Sequence, residues 1–357
     1  MRLVLDREQE QLRSTVRKML ADHCAPARVR EVMESPEGHD LPLWRRISGE
    51  LGLAGLVVPE RHGGSGAGHV ERAIVLEELG RALAPVPYFA SAVLAVDTVL
   101  ALGDDTLTAD LLPRLASGEL IGTIAMGDRG TPTVTATAAG ELTGSAAPVL
   151  SGDIADVVLV YASAPGGPAW FRAAPAGRTT LRTLDPTRRL ARLDFADTPA
   201  ERVDCADAAA VLEQVRDTAA VALAAEQLGG MSHVLESTAE YAKVRVQFGR
   251  PIGSYQAVKH SLADIYIAYE QAVSLARYAA WAADADQEAL PLAAATAADF
   301  VGPAYFAAAA NGLQLHGGIG FTWEHDAHLY YKRAKTSELL FGDPGSRRAR
   351  LADRLGI

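Results

Sequence analysis

Two long segments of helical periodicity are joined by Arg245-Val246-Gln247-Phe248-Gly249-Arg250-Pro251-Ile252-Gly253. Arg245 and Arg250 carry planar cationic groups that suit a phosphate or a pyrophosphate. Phe248 offers a face for a planar ring, and the glycine and proline residues favour a tight connection. By residue type alone, the stretch also fits a plain helix–helix loop with solvated arginines.

A second stretch, Gln314-Leu315-His316-Gly317-Gly318-Ile319-Gly320, ends an alanine-rich segment of helical periodicity. Its glycines would let a ligand approach the backbone closely, and their amides can hold an anion or the edge of a heterocycle. The stretch follows a predicted helix, whereas a dinucleotide-binding fingerprint follows a strand. An ordinary helix C-cap and turn would also explain these residues.

Working outward, periodicity divides the chain into a helical part at 1–119, a strand-rich part at 120–205 and a helical part at 206–357. Asp6 is predicted to cap the first helix. The last part contains three long apolar-periodic segments, which suit a helical bundle. These segments cover residues 207–243, interrupted only by Gly229–Gly230, and residues 254–286 and 291–315. The predicted fold class is therefore α+β, multi-domain and mainly helical.

Composition excludes several classes of function. The chain has 357 residues and a net charge of −10, whereas a nucleic-acid-binding protein would need a basic stripe. Cys24 and Cys205 belong to no metal-binding motif, so no metal site is predicted. The start of the sequence lacks the apolar core of a signal peptide, and no uninterrupted apolar run is long enough to span a membrane. We therefore predict a cytoplasmic protein without a membrane segment.

In this order and spacing, the two motifs resemble those of the acyl-CoA dehydrogenase family. Gln256 and His260 follow the first motif as they do in that family. The closing segment HLYYKRAKTSELLFG (328–342) is also similar to a family segment, as are the stretches at 51–66 and 75–87. The resemblance covers essentially the whole chain.

This resemblance implies the acyl-CoA dehydrogenase fold, with an N-terminal helical domain, a middle β-barrel-like domain and a C-terminal four-helix bundle. It implies FAD as the cofactor and an acyl-CoA thioester as the substrate, which loses a proton from Cα and a hydride from Cβ. Family residues at the two motifs reach the FAD of a neighbouring chain. The matching positions here are Arg245, Gln247, Phe248, Gln256, Gln314, Gly317 and Gly318.

The chain departs from the family at the catalytic base. Most members carry a glutamate before a glycine in the closing segment, and others carry it early in the helix before the first motif. Phe341 and Ala219 occupy these two positions here, and neither side chain can take up a proton. Glu226, on the same helix face as Ala219, and Glu338 are the candidates for a displaced base. Alternatively, both are helix-surface or interface carboxylates.

A second departure lies in the strand-rich part. The family usually carries Thr-Glu-Pro and Gly-Ser-Asp, then Trp-Ile-Thr, near the isoalloxazine ring of the flavin. The corresponding stretches here are Met126-Gly127-Asp128-Arg129-Gly130-Thr131-Pro132 and Pro148-Val149-Leu150-Ser151-Gly152. The resemblance therefore implies a degenerate isoalloxazine pocket in this chain.

Three hypotheses account for these observations. The first is a non-catalytic, β-type subunit of an α2β2 acyl-CoA dehydrogenase, which completes the FAD site of a homologous catalytic partner. The second is a self-sufficient homo-oligomeric acyl-CoA dehydrogenase with Glu226 or Glu338 as the base. The third is a scaffold of the same fold without redox chemistry. Family association suggests a role in lipid or steroid catabolism for the first.

Overall fold

The computed structural model describes residues 3–127 and 130–357. Across these residues the chain is α+β and mainly helical, with helices on both sides of a strand-rich part, which confirms the predicted fold class. The helices are α1 (Arg7–His23), α2 (Pro26–Glu34), α3 (Leu41–Arg45), α4 (His69–Arg81), α5 (Val96–Leu102), α6 (Asp105–Ala116), α7 (Ala208–Val244), α8 (Gln256–Ala285), α9 (Leu290–His316), α10 (Ala327–Leu339) and α11 (Pro344–Leu355). The strands are β1 (Gly122–Ala125), β2 (Val134–Ala136), β3 (Glu141–Leu150), β4 (Val157–Ala164), β5 (Gly167–Ala173), β6 (Gly177–Thr180), β7 (Leu190–Val203), β8 (Val246–Gln247) and β9 (Arg250–Pro251).

Contacts group the chain into two compact units. The first, which we call the bundle unit, comprises the described residues of Met1–Arg30, Ala73–Ala84 and Ala220–Ile357. The second, which we call the barrel unit, comprises the described residues of Glu31–Arg72 and Pro85–Ala219. Helices α4 and α7 each contribute residues to both units. The division along the chain at 1–119, 120–205 and 206–357 stays a prediction.

The strands of the barrel unit close into a ring. Strand β4 pairs with β2, β2 with β3, β3 with β7 and β7 with β5, and β5 returns to β4. Strand β1 runs parallel to β4, and β6 pairs with β7. Closure removes the free edges that an open sheet would expose. The predicted β-barrel-like part is therefore confirmed.

The interior of this barrel is filled by small and aliphatic side chains together with two phenylalanines. Phe171 and Phe195 are buried there beside Val160 and Leu193. Trp170 of β5 does not belong to this interior cluster. Its indole Nε1 donates a hydrogen bond to the carbonyl oxygen of Ala208 at 3.1 Å. The barrel wall thereby holds the first turn of α7.

Helix α1 begins where the sequence predicts. The Asp6 carboxylate accepts a hydrogen bond from the backbone N–H of Gln9 at 2.9 Å, and the Gln9 side chain accepts one from the Asp6 backbone at 3.1 Å. This reciprocal capping box satisfies two backbone donors that the first turn would otherwise leave unpaired. On the same helix, Arg17 forms two hydrogen bonds with Glu78 of α4, at 2.7 and 2.8 Å.

Helix α7 matches the long segment predicted at 207–243. Gly229–Gly230 interrupt the apolar pattern of that segment, and the helix continues through both residues. A Cβ atom on Gly229 would lie 1.7 Å from the Glu77 carbonyl oxygen of α4, and one on Gly230 would lie 2.3 Å from the Tyr305 hydroxyl oxygen of α9. These glycines therefore allow close helix packing, which offsets their helix penalty of about 1 kcal/mol each.

Helix α9, with the turn that follows it, spans Leu290–Phe321. It is the one helix in the described part of the chain whose length and apolar composition would allow it to cross a membrane. Half of its most apolar window is buried inside the fold, and a core helix of a globular protein passes the same test.

The crossing of α4 and α7 can be tested with Gly229→Ala. We expect this change to lower the free energy of unfolding by about 2 kcal/mol or more, because the new methyl group meets rigid backbone rather than a movable side chain. Chemical denaturation measures the change. Gly49→Ala is the matched control, since its Cβ would come no closer than 3.7 Å to another residue. Equal midpoints for the two variants would contradict the packing argument.

Candidate functional site

The stretch between α7 and α8 forms a short hairpin of β8 and β9. Gln247 pairs with Arg250 across it, and Phe248 and Gly249 make the turn with φ angles of +54° and +80°. Two positive φ angles are typical of the tightest hairpin turns, but they strain a bulky residue. The Phe248 side chain is 95% exposed. The chain thus holds an aromatic ring in solvent on a strained backbone, which is typical of a recognition loop.

Contacts within the stretch make this hairpin well ordered. The Tyr255 hydroxyl donates a hydrogen bond to the Gln247 carbonyl oxygen at 3.1 Å, and the Arg250 guanidinium lies 4.0 Å from the centre of the Tyr255 ring. The backbone N–H of Ile252 donates to the Arg245 carbonyl oxygen at 2.8 Å. Arg250 is therefore engaged by its own chain, whereas the Arg245 side chain is exposed.

The second motif lies where α9 ends. Gln314, Gly317 and Gly318 are exposed, and Gly317 has a φ angle of +63°. A Cβ atom added to Gly317 or Gly318 would meet nothing within 4 Å. The glycines therefore leave open space above the backbone, into which another molecule can come close.

The structure brings the two motifs to the same end of the bundle unit. Tyr241, near the end of α7, stacks on His316 at the end of α9 with ring centres 4.5 Å apart. Its hydroxyl also donates to the His316 carbonyl oxygen at 3.3 Å. Gln256 begins α8 beside the hairpin and is exposed. Both motifs therefore face solvent from neighbouring helix ends, as a surface that serves a second chain would require.

At the two positions where the resemblance predicts the catalytic base, the side chains carry no titratable group. Ala219 is 1% exposed within α7. Phe341 follows α10 with a φ angle of +63°, and Gly342 after it has a φ angle of +134°. The backbone around Phe341 thus makes a sharp turn, but that turn presents a ring in place of a carboxylate.

The two alternative carboxylates are buried and paired. Glu226 is 8% exposed, and its Oε1 lies 2.5 Å from Nη1 of Arg333 in α10. Glu338 is 6% exposed, and its Oε2 lies 2.6 Å from Nζ of Lys335. Since a cation already engages each carboxylate, both have the geometry of structural ion pairs.

The two stretches that the resemblance aligns with flavin motifs contain residues that pack against other parts of the barrel unit. Asp128 and Arg129 lie outside the described residues. A Cβ atom on Gly127 would lie 2.0 Å from the Thr131 carbonyl oxygen, so Gly127 packs directly against the backbone of Thr131. Ser151 is buried, and its backbone N–H donates to the Arg189 carbonyl oxygen at 3.0 Å.

The sequence interpretation missed a buried charge network in the barrel unit. Arg72 forms a two-point ion pair with Asp97, at 2.6 and 2.8 Å, and both residues are buried. Burial opposes the charge of Asp97, but the Arg72 guanidinium outweighs this effect and lowers the pKa of the carboxyl group. A signal was present, because Asp97 interrupts an otherwise apolar run and a buried acid is rarely left unpaired.

The sequence interpretation also missed a buried histidine of the bundle unit, His233. His233 stacks flat against Tyr330, with ring centres 4.1 Å apart, and the Tyr330 hydroxyl donates to the Arg81 carbonyl oxygen at 2.7 Å. Burial lowers the pKa of His233 to about 4, and the positive charge of Arg81 adds to the effect. The ring is therefore neutral near pH 7. A single histidine in a sequence gives no sign that its ring will stack on a tyrosine from another helix.

Comparison with known proteins identifies the class. Residues 205–356 match the family described as acyl-CoA dehydrogenase, C-terminal domain, and residues 6–119 match its N-terminal domain. The chain therefore belongs to the acyl-CoA dehydrogenase family, whose members bind FAD. The chain shares 42% identity with the acyl-CoA dehydrogenase IpdE2 of Mycobacterium tuberculosis, over 94% of each chain.

Two solved structures of assemblies are similar to it. One is a chain of the ChsE4-ChsE5 complex from Mycobacterium tuberculosis, with a TM-score of 0.92, 31% identity and coverage of 100% of this chain and 99% of the other. The other is a chain of the Tcur3481-Tcur3483 steroid ACAD G363A variant, with a TM-score of 0.86, 32% identity and coverage of 98% of both. The overall architecture is thus the acyl-CoA dehydrogenase fold.

The pairing of His233 with Tyr330 gives a test by pH. A histidine in an unfolded chain has a pKa of about 6.5. Between pH 6.5 and 4, His233 is therefore protonated in the unfolded chain but remains neutral in the folded chain. Stability from this group is full above pH 6.5 and is lost as pH falls towards 4, by about 2–3 kcal/mol. His233→Phe keeps a stacked ring without a titration, so we expect a smaller loss over this range in denaturant titrations. A loss equal to that of the wild type would contradict the assignment.

Proposed function

We propose that this chain is the non-catalytic, β-type subunit of an FAD-dependent acyl-CoA dehydrogenase with α2β2 composition. The observation that carries the proposal is the contrast between the two halves of the site. The family residues that serve a neighbouring chain's FAD are present and exposed, whereas both positions for the catalytic carboxylate hold apolar side chains. A homologous catalytic subunit would supply the base and the isoalloxazine pocket.

The exposed residues fit the part of FAD that such a subunit would hold. The Arg245 guanidinium would neutralise a phosphate charge, and Phe248 would lie against a planar ring of the cofactor. The open backbone at Gly317 and Gly318 would take the nucleotide at close range. Gln247, Gln256 and Gln314 would supply hydrogen bonds at the edge of this surface. When bound, FAD would accept the hydride that leaves the substrate Cβ.

The buried parts of this chain do not fit a complete reaction site. Removal of the Cα proton needs a carboxylate held near the substrate. Phe341 carries no carboxylate, and Glu226 and Glu338 are buried in ion pairs with Arg333 and Lys335. The contribution of this chain would therefore be to bind and orient the partner's cofactor rather than to move a proton.

The similar structures support both the partner and the substrate class. The ChsE4-ChsE5 complex joins two different subunits, and Tcur3481-Tcur3483 is described as a steroid acyl-CoA dehydrogenase. We therefore propose a homologous catalytic subunit as the partner, in the cytoplasm, and an acyl-CoA derived from a steroid as the substrate of the assembly.

Cofactor content tests the proposal directly. Expressed alone, the chain should purify with little FAD and should oxidise no acyl-CoA; expressed with its homologous catalytic subunit, it should yield a yellow complex. In that complex, Arg245→Met should weaken FAD binding about tenfold or more, because a charge-assisted contact to phosphate is lost. Arg192→Met, on an exposed face of β7, is the control. Stoichiometric FAD and turnover by the chain alone would refute the proposal.

Displaced bases give a separate test. Glu226→Gln and Glu338→Gln, made in this chain within the assembled complex, should leave the rate of flavin reduction by acyl-CoA within about twofold, since neither group takes the substrate proton. Stopped-flow absorbance of the flavin measures this rate, with FAD content checked first. Loss of reduction by a hundredfold or more in either variant, with FAD still bound, would assign the base to this chain.

A further inference from the structure

The segment between α9 and α10 exposes two large aromatic side chains that the proposed function does not use. The segment comprises residues 317–326 and begins with Gly317 and Gly318 of the second motif. Phe321 and Trp323, which follow within a few residues, are both exposed. We call these two residues the aromatic pair.

The exposure of Trp323 is an exception among the four tryptophans of the chain. Trp44 and Trp170 are buried, and Trp281 is half-buried. Scattered single apolar residues are normal on a protein surface, but neighbouring large ones usually mark a place where another molecule binds. Tryptophan is also among the residues that contribute most to the affinity of protein interfaces.

Although it is exposed, the Trp323 ring is held in place. Nζ of Lys332 in α10 lies 4.4 Å from the centre of the ring, over its face. The His328 ring meets it edge to face, with ring centres 4.6 Å apart. A side chain that is already ordered loses little conformational entropy when a partner covers it. Trp323 is therefore suited to act as an anchor.

The backbone next to this ring is fixed as well. The Arg30 guanidinium of α2 donates to the His325 carbonyl oxygen at 3.0 Å and to the Asp326 carboxylate at 2.6 and 2.9 Å. The His325 ring lies 4.4 Å from the His316 ring and 6.3 Å from the Tyr241 ring, between ring centres. These contacts hold the segment against the end of α7, so the aromatic pair lies at the same end of the bundle unit as the hairpin.

The aromatic area exposed at this end matches one side of a protein interface. Phe248, Phe321 and Trp323 are 95%, 72% and 60% exposed. With about 150–250 Å² for each aromatic side chain, they leave roughly 350–550 Å² in contact with water. A stable interface buries about 800 Å² on each partner, of which about 450 Å² is apolar. These three side chains therefore supply about the apolar area that such an interface needs.

A protein surface suits the aromatic pair better than a nucleotide does. Lys332 already lies over one face of the Trp323 ring, and the next residue, Glu324, is an exposed carboxylate. That carboxylate would repel the phosphate groups of a nucleotide. The exposed Arg245 suits a phosphate instead, and it lies beside the hairpin. The cofactor is thus assigned to the hairpin and the glycines, and the aromatic pair to the protein that holds the cofactor.

A second copy of this chain would be a poor occupant of this surface. Ala219 and Phe341 stand at the two positions for the catalytic carboxylate. Two copies would therefore bring together two surfaces that reach a cofactor, without a base for the reaction. A homologous catalytic subunit would supply the half that this chain lacks.

We propose that Phe321 and Trp323 anchor this chain to an apolar pocket on the homologous catalytic subunit, beside the cofactor that the hairpin and the glycines reach. The identity of the partner rests on the proposed function. In the assembly, both rings leave water. Because Gly317 and Gly318 belong to the same ordered segment, the anchor also sets where these glycines meet the partner's cofactor.

Fluorine labels on the tryptophans test the anchor directly. The full chain is expressed alone with 5-fluorotryptophan, and Trp323→Phe assigns the Trp323 signal among the four. When the unlabelled catalytic subunit is added, we expect this signal to shift and to lose its sensitivity to D₂O, because the indole leaves water. The signals of the buried Trp44 and Trp170 should stay unchanged.

Trp323→Ser measures what the anchor contributes. It should weaken the association of the two subunits about thirtyfold or more, as the loss of an aromatic anchor usually does. Leu292→Ser, at the exposed start of α9, is the matched control and should stay within about twofold. Sedimentation velocity with excess FAD measures the dissociation constants. If Trp323→Ser fails to fold, the labelled wild-type chain decides.

The outcomes separate this inference from the proposed function. A complex that binds FAD while Trp323 stays in water would overturn the anchor and leave the proposed function standing. Loss of FAD without loss of association in Trp323→Ser would assign the indole to the cofactor and also overturn the anchor. So would a Trp323 signal that shifts as this chain alone is concentrated, since a second copy then covers it. A complex anchored through Trp323 but without FAD would support the anchor and refute the cofactor role, and absence of any complex would refute both.

Discussion

The bundle unit depends on how closely its helix backbones approach one another. At the crossing of α4 and α7, a Cβ atom on Gly80 would lie 2.0 Å from the Glu226 carbonyl oxygen, and one on Gly229 would lie 1.7 Å from the Glu77 carbonyl oxygen. No side chain fits between these helices, so glycine is required on both sides. The crossing sets the path of α7, which carries Ala219 in its first half and leads into the hairpin at its end.

The carboxylate of Glu226 in α7 has a structural role at this close crossing. Glu226 lies at the crossing and pairs with Arg333, which ties α7 to α10 inside the bundle unit. Removing two charges from water is costly, and the pair offsets that cost only while both partners are present. The pair therefore holds α7 against α10 only while both side chains are present. The chain therefore combines a firmly paired interior with a hairpin whose Phe248 is strained and exposed.

Local patterns predicted much of the fold because helices, caps and strands follow from neighbouring residues. Asp6 caps α1 as its position before a polar first turn indicates. The pair Gly229–Gly230 interrupts the apolar pattern of α7, and helix propensity counts each glycine as a loss of about 1 kcal/mol. Propensity contains no term for a helix from another part of the chain, and here that helix outweighs it. Asp97 was overlooked for the same reason, because its partner Arg72 lies on a different helix.

The family motifs, their order and the apolar residues Ala219 and Phe341 can be read directly from the sequence. These are properties of residue identity and spacing, which no fold can alter. Closure of the barrel and the pairing of Glu226 with Arg333 become visible only in the tertiary structure. Such features depend on contacts between residues far apart in the chain, and packing rather than local preference selects them. The stretch around Phe248 shows both levels: the sequence names the residues, and the fold places the Phe248 ring in solvent at the turn of a hairpin.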